Sequence, residues 1–210
     1  MTLIQRPVIV IGSGGHARVL IDTLKLLKID IKGIADLDLK KGSSVCDVEV
    51  IGSDDDLVKI FSPQSVLLVN GVGTVRVSNI RKSIFEKYKT LNYQFLTVVH
   101  PESIVAEDVV FGEGVQVMAG AVIQTGSKID ANTIINTSAS VDHDCEVGAH
   151  VHIAPGAVLC GGVHVGDRSH IGTGAVIVQN CRIEPETLVR AGKVFTGTDI
   201  PGFPQNQDNL

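Results

Sequence analysis

The sequence predicts two domains, a short parallel α/β unit over residues 1–98 and a triangular β-solenoid of hexapeptide units over 99–210, and three observations carry that division. An aliphatic or aromatic residue returns at every sixth position from Phe111 to Val189, through Val117, Ile123, Ile129, Ile135, Val141, Val147, Ile153, Leu159, Val165, Ile171, Ile177 and Ile183, with Val105 and Phe195 extending the register. Small or modestly apolar residues, among them Ala121, Ser127, Thr133, Ala139, Cys145 and Ala157, stand two places ahead of these and in phase with them. Before residue 103 the period is absent, and strand, glycine-rich turn and helical spacing follow one another instead.

A period of six fits neither an α-helix, which needs 3.6, nor an alternating strand, which needs 2. Six residues make one short strand and a turn, and three such units close a triangular coil. Stacked coils bury the recurring aliphatics on an axis that no single coil could cover. Residues 18 apart therefore lie one above the other.

In the first domain Val8–Ile11 reads as a buried strand running into Gly12-Ser13-Gly14-Gly15-His16. The segment Ala17–Lys28 carries Val19, Leu20, Leu24 and Leu27 at helical spacing, which puts the glycines at a helix N-terminus, where backbone N–H groups and the helix dipole favour an anion. A second strand, Ile31–Ala35, ends at Asp36, a carboxylate suited to a ribose or a base. A third, Val66–Val69, ends at Asn70-Gly71, and a second helix over Val77–Lys89 places Ile80, Ile84, Phe85 and Tyr88 on one face. Gly12-x-Gly14-x-x-Ala17 with an acid about 20 residues later nominally matches the dinucleotide fingerprint. A purely structural turn, a nucleotide or nucleotide-sugar phosphate site and NAD all stay open at this point. His16, in the first turn of the helix, adds a donor to the same place and favours the anion.

Phe95–Pro101 links the halves, and the hexads start at Ser103. Gly, Asn, Asp, Ser and Thr fill the corners, as tight turns require. The histidines need another explanation. Asn136, Asp142, His143, Asp144, His152 and Gly161 are expected to form one corner constellation. His143 and Gly161 are 18 apart, and so are His152 and His170. Asp142 or Asp144 can hold the His143 imidazole in one tautomer and raise its basicity, as a general base requires. The Gly161 N–H can face a developing oxyanion. A base and an oxyanion donor one coil apart is acyl-transfer geometry. His100, His150 and His164 are expected to be solvated turn residues. A zinc site is disfavoured because His143, His152 and His170 fall on two registers of the coil, so no metal is expected.

Composition narrows the partners. Net charge is -5 with no Lys/Arg-rich run, which argues against nucleic acid and anionic membrane. No apolar stretch reaches the length of a membrane span, and Met1–Gly15 has neither a basic start nor a small-residue cleavage site, so a cytoplasmic protein is expected. The four cysteines form no C-x-x-C pair. Cys145 and Cys181 occupy the small inward position of the hexad, Cys160 follows the inward Leu159, and Cys46 is isolated; no disulfide framework is expected.

These residues together resemble the sialic-acid O-acetyltransferase and bacillosamine-pathway N-acetyltransferase family of bacterial sugar acyltransferases. The likeness rests on Val10-Ile11-Gly12-Ser13-Gly14-Gly15-His16-Ala17, Asp36, Ile80-Arg81-Lys82, Ile135-Asn136-Thr137-Ser138, Asp142-His143-Asp144-Cys145, His152 and Ala154-Pro155-Gly156-Ala157. The resemblance implies a Rossmann-like N-terminal domain with a short parallel sheet, then a left-handed parallel β-helix that forms a homotrimer. Acetyl-CoA would lie in the groove between neighbouring helices, and the N-terminal domain would hold a nucleotide-linked sugar. It makes His143 the general base, Asp144 its orienting partner, and His152 and the Gly161 N–H the groups that meet the thioester. Asn136 would lie near the acceptor sugar. Thr173, Ala191 and Gly192 would line the cofactor groove through backbone, and Gly12, Gly14, Gly15, His16, Asp36 and Gly71 would serve the nucleotide.

The implied function is an acetyl-CoA-dependent N-acetyltransferase acting on a nucleotide-linked 4-amino-deoxysugar in bacterial surface-glycan biosynthesis. An O-acetyltransferase of sialic-acid-like sugars and a non-catalytic, nucleotide-binding trimeric scaffold are the alternatives. Two segments depart from the family pattern. Asp199-Ile200-Pro201-Gly202-Phe203-Pro204 stands where a Val-Gly-x-Pro-Ala-Lys tail is common, and the loop Asn70–Arg76 is longer than the usual Gly-Asn turn.

Overall fold

A computed structural model of the chain describes residues 6–74 and 79–197. The atypical tail Asp199–Pro204, the loop end Val75–Arg76 and the expected helix start at Val77 lie outside the described residues. The chain divides into two compact units, the described parts of which are 6–74 with 79–101, and 102–197.

The first unit contains β1 (Val8–Ile11), α1 (Gly15–Leu26), β2 (Ile31–Ala35), β3 (Ser44–Val45), β4 (Val48–Gly52), α2 (Asp54–Ile60), β5 (Leu67–Asn70) and α3 (Ile80–Thr90). Its sheet has the order β3-β4-β2-β1-β5. All pairings are parallel except the β3–β4 hairpin. β1 sits between two parallel neighbours and is buried at all four positions, which is why it reads as an unbroken aliphatic run rather than an alternating one.

The structure adds a hairpin and a helix to the expected three strands and two helices. The hairpin turns at Cys46 and Asp47, both at positive φ (50° and 59°), the backbone that a two-residue hairpin with right-handed twist demands. A reciprocal capping box between Ser53 and Asp56 starts α2.

Both expected helix faces shift. In α1 the buried stripe is Ala17, Leu20, Ile21 and Leu24, while Val19 is 45% exposed. In α3 the inward residues are Arg81, Phe85 and Tyr88, with Ile80 63% exposed. Arg81 is drawn inside because its guanidinium donates to the carbonyls of Asn70 and Val72, both at 2.8 Å, while Asn70 Nδ2 returns a hydrogen bond to the Arg81 carbonyl. A buried polar side chain with its own acceptors thus outcompetes an aliphatic neighbour for the inward position.

The second unit is a left-handed parallel β-helix. Each strand is two residues long, and partners are 18 apart without interruption, from Ile104↔Val122 to Ile177↔Phe195 for the first face. That first face stacks the strands beginning at Ile104, Val122, Ser140, Val158, Val176 and Val194. The second stacks those beginning at Val110, Lys128, Glu146, His164 and Arg182, and the third includes those beginning at Gln116, Ile134, His152, His170 and Leu188. The second residue of each strand points inward; Ile123, Ile135, Val141, Ile153, Leu159 and Ile171 are fully buried. The corners take a residue at positive φ, among them Asn132, Ser138, Asp144, His150 and Asn180, or a glycine such as Gly126 and Gly162. This left-handed backbone accounts for the Gly, Asn and Asp content of the corners.

Candidate active site

His143, Asp144 and Gly161 meet on the corner that joins the first face to the second. Asp144 sits in the left-handed region at φ 58°, where its carboxylate turns back so that Oδ2 accepts from His143 Nδ1 at 2.8 Å. Asp142 does a different job: its Oδ1 accepts from the backbone N–H of His143 at 2.9 Å. One acid fixes the ring and the other fixes the turn. The bond from Asp144, aided by the negative charges of Asp142 and Asp144, raises the His143 pKa against a smaller opposing effect of desolvation.

The Nε2 edge of the ring comes against the next coil. A Cβ built on Gly161 would stand 2.5 Å from His143 Nε2 and 2.6 Å from Cε1, so Nε2 is within about 4 Å of the Gly161 Cα. The Gly161 N–H has no acceptor among the described residues, whereas its carbonyl takes the Asn180 N–H and the Gly162 N–H goes to the His143 carbonyl. Glycine at 161 therefore makes room for a base and leaves a backbone donor beside it.

Below this corner lies a residue that the sequence reading passed over. Gly126 is at φ +74°, and a Cβ there would overlap Asp144 Oδ1. The alternation Asp108, Gly126, Asp144, Gly162, Asn180 at 18-residue intervals is visible in the sequence, and it shows each side chain stacked over a glycine.

His152 is not on this corner. It is the outward residue of a third-face strand, and a face of a triangular coil is opposite the corner formed by the other two. The expected single-corner constellation is thus divided: His143, Asp142, Asp144 and Gly161 lie on one side of the prism, and His152 and Asn136 on the other. There Asn136 Nδ2 meets His152 Nε2 at 2.9 Å, and Asn136 Oδ1 accepts the Thr137 N–H at 2.8 Å. His170, one coil further, stands edge to face with His152, with ring centroids 4.8 Å apart at 83°. Both rings are buried, and burial lowers the His170 pKa. Thr173, Ala191 and Gly192 occupy the corner between the third and first faces, exposed and one coil apart, with the Gly192 N–H on the Thr173 carbonyl at 2.8 Å.

Of the histidines expected in solvent, His100 is buried. His150 bonds to Asn132 at 2.9 Å, and His164 pairs with Glu146 at 3.1 Å. Lys128, Glu146, His164 and Arg182 line an open groove of about 600 Å³ on the second face; none of the expected site residues lines it. Among the described residues no group of three His, Cys, Asp or Glu side chains could hold a metal ion.

In the N-terminal unit, Gly12, Gly14, Gly15 and His16 join β1 to α1 as expected, and their glycines have different causes. Gly12 needs its φ of +86°. Gly71 is pressed between the Ile11 carbonyl and Ala17, where a Cβ would stand at 2.7 and 2.8 Å. At Gly14 and Gly15 a Cβ would meet nothing within 4 Å, and neither has a positive φ. Packing does not require glycine at those two positions; a group from outside, approaching bare backbone, would. Gly14 is also the N-cap of α1, and no side chain caps that helix. Partial burial acts to raise the Asp36 pKa, but hydrogen bonds from Ser13, Asp38 and Leu39 outweigh it and leave the group lowered. Oδ1 of Asp36 takes the Asp38 and Leu39 N–H groups at 2.9 and 3.1 Å.

Residues 7–88 match the sequence profile of the PglD N-terminal domain. The acetyltransferase domain of PglB from Neisseria gonorrhoeae is 36% identical, with 94% of each chain covered and a TM-score of 0.84. PerB from Caulobacter crescentus, solved with CoA and GDP-perosamine, is 35% identical over 94% of this chain and 92% of its own, also with a TM-score of 0.84. WeeI from Acinetobacter baumannii, at 21% identity and a TM-score of 0.70, shares the fold. With the likeness extending over both units and their characteristic turns, the chain belongs to the bacillosamine-pathway family of hexapeptide-repeat sugar acyltransferases and is an enzyme of that class.

Proposed function

We propose that this protein transfers the acetyl group of acetyl-CoA to the amino group of a nucleotide-linked aminosugar. The observation that carries the reading is the His143–Asp144 pair lying on Gly161. Asp144 holds the proton on Nδ1 and turns the Nε2 lone pair outward, beside a backbone N–H with no acceptor of its own among the described residues. The sugar nitrogen attacks the thioester carbon, forming the C–N bond as the carbonyl electron pair moves onto oxygen. His143 Nε2 takes the proton from nitrogen, and the Gly161 N–H stabilises the oxyanion. Collapse breaks the C–S bond, and CoA leaves as a thiolate that accepts the proton from His143. No acyl-enzyme is required: burial raises the Cys145 thiol to about 11, the wrong direction for a nucleophile.

Two features support a homotrimer with composite sites. The outward column of the first face is Ile104, Val122, Ser140, Val158, Val176 and Val194, with Ile104 67% and Val194 63% exposed. A column of five aliphatic residues interrupted only by Ser140 is the kind of surface that packs against a partner. Packing that face around a threefold axis sets the His143 corner of one protomer next to the Thr173–Ala191 corner and third face of its neighbour, reuniting the residues that one chain keeps apart. In the N-terminal unit the bare Gly14-Gly15 backbone and His16 suit the phosphates of a nucleotide.

The test is a mass-spectrometric screen of acetyl-CoA against nucleotide-linked 4-aminosugars and sialic acids. N-acetylated product from an aminosugar is expected. Acetylation of sialic-acid hydroxyls alone would move the assignment to the O-acetyltransferases, and silence with no CoA binding would leave a scaffold.

A further inference from the structure

We infer that Asp108, Thr125 and Gly126, on the two coils below the catalytic corner, form a seat for the Asp144 carboxylate and so act as positioning residues for His143. The Asp144 side chain is 72% exposed, and an exposed aspartate held by one hydrogen bond has other rotamers open to it. Here both of its oxygens are placed. Oδ2 accepts from His143 Nδ1 at 2.8 Å. Oδ1 rests on Gly126, where an added Cβ would stand 2.4 Å from it, so the oxygen is within about 4 Å of the bare Cα.

The floor is fixed from two sides. From below, Asp108 Oδ2 accepts from Thr125 Oγ1 at 2.7 Å and from the Gly126 N–H at 2.9 Å; these donors, the hydroxyl foremost, lower the Asp108 pKa. From above, the Asp144 N–H reaches the Thr125 carbonyl at 3.0 Å, the Ser127 hydroxyl donates to the Asp142 carbonyl at 2.9 Å, and the Cys145 N–H returns to Ser127 Oγ at 3.2 Å. The turn that carries the base is stitched to the turn that carries the floor, and only the Asp144 side chain is left to be placed. Backbone alone does not demand glycine at 126, since Asn132, Asp144 and Asn180 take the same left-handed turn at φ 56°, 58° and 59°. The carboxylate does demand it. A Cβ would push Oδ1 from 2.4 Å to the 3.4 Å of ordinary contact, a displacement of about 1 Å, the scale at which a positioned group loses its effect.

This role rests on the base proposed above for His143. The test is the ¹H–¹⁵N titration of His143 in the full-length protein labelled in histidine, assigned by comparison with His143→Gln, together with the pH profile of kcat/KM. Gly126→Asn keeps a residue that tolerates left-handed backbone and adds the Cβ. Its His143 titration is expected to move down toward the ordinary value of about 6.5, the acid limb with it, and turnover to fall about 10²-fold. In an Asp144→Ala background the same substitution should cost less than about twofold, because the side chain it displaces is gone. Asp108→Ala, at a position without left-handed backbone, should shift the titration in the same direction and lower turnover about tenfold, the scale of one lost hydrogen bond. A His143 that titrates in either variant as it does in wild type overturns the inference, and so does a full 10²-fold loss from Gly126→Asn in the Asp144→Ala background. If the titrations move as stated in a protein that transfers acetyl to no acceptor, the transferase reading fails and the seat survives it.

Discussion

Gly161→Ala isolates the catalytic corner from the fold. The added Cβ would lie 2.5 Å from His143 Nε2, and ordinary contact begins at 3.4 Å. The imidazole must therefore retreat by about 0.9 Å, and a misplacement of about 1 Å at a reacting group costs roughly 10² in rate. Full loss of an oriented base would cost about 10²–10⁴. The backbone at 161 is not in the left-handed region, so alanine adopts it without strain, and the side chain that has to move is exposed and free to swing out. Turnover, followed as release of the CoA thiol, is expected to drop at least 10²-fold. CoA affinity and Tm should stay close to wild type, since surface changes of this kind are usually within about 0.5 kcal/mol. A variant turning over within about threefold of wild type would mean that His143 does its work from another position. One that loses Tm in proportion to activity would mean that Gly161 serves packing.

Three other changes follow the same logic. Asp144→Ala removes the bond that raises the His143 pKa; because the base works deprotonated, the acid limb of kcat/KM should move to lower pH, toward the ordinary histidine value of about 6.5, and an unmoved limb would separate Asp144 from the titrating group. Gly14→Ala meets no neighbour and no backbone strain, so it should leave Tm alone and raise KM for the nucleotide sugar by about tenfold, the worth of roughly one backbone hydrogen bond; an unchanged KM would return the turn to a structural role. Val158→Asp puts a carboxylate in the middle of the first-face stripe and is expected to give monomers in sedimentation velocity with turnover lost, whereas an active trimer would place the interface on another face.

The solenoid was legible because its period is one that no helix or simple strand produces, and because 18-residue stacking converts sequence distance into height. That rule found His143 beneath Gly161 and His152 beneath His170. It did not say which way a residue points around the coil, which is why His152 was grouped with a corner it faces away from. Phase within the hexad carries that information: His152 stands at the first strand position, like Ile134, and His143 stands in a turn. In the first unit Arg81 misled the helix reading, since its inward turn depends on the carbonyls of Asn70 and Val72, which lie far from the local pattern. The Ser53–Asp56 capping box was readable and went unused. Gly126 was readable as well, because the 18-residue spacing sets Asp144 directly against it.

The unbroken 18-residue register also sets how such a chain can change length. Each added coil raises the stack by one strand spacing, about 4.8 Å, and returns every side chain to its former face. Insertion of a whole coil beyond Val189 would extend the corner of Thr173 and Ala191 without disturbing His143. Insertion of any other number of residues between Asp142 and Gly161 would rotate the base away from its glycine. Length in this molecule is quantised, and the catalytic pair tolerates only whole steps.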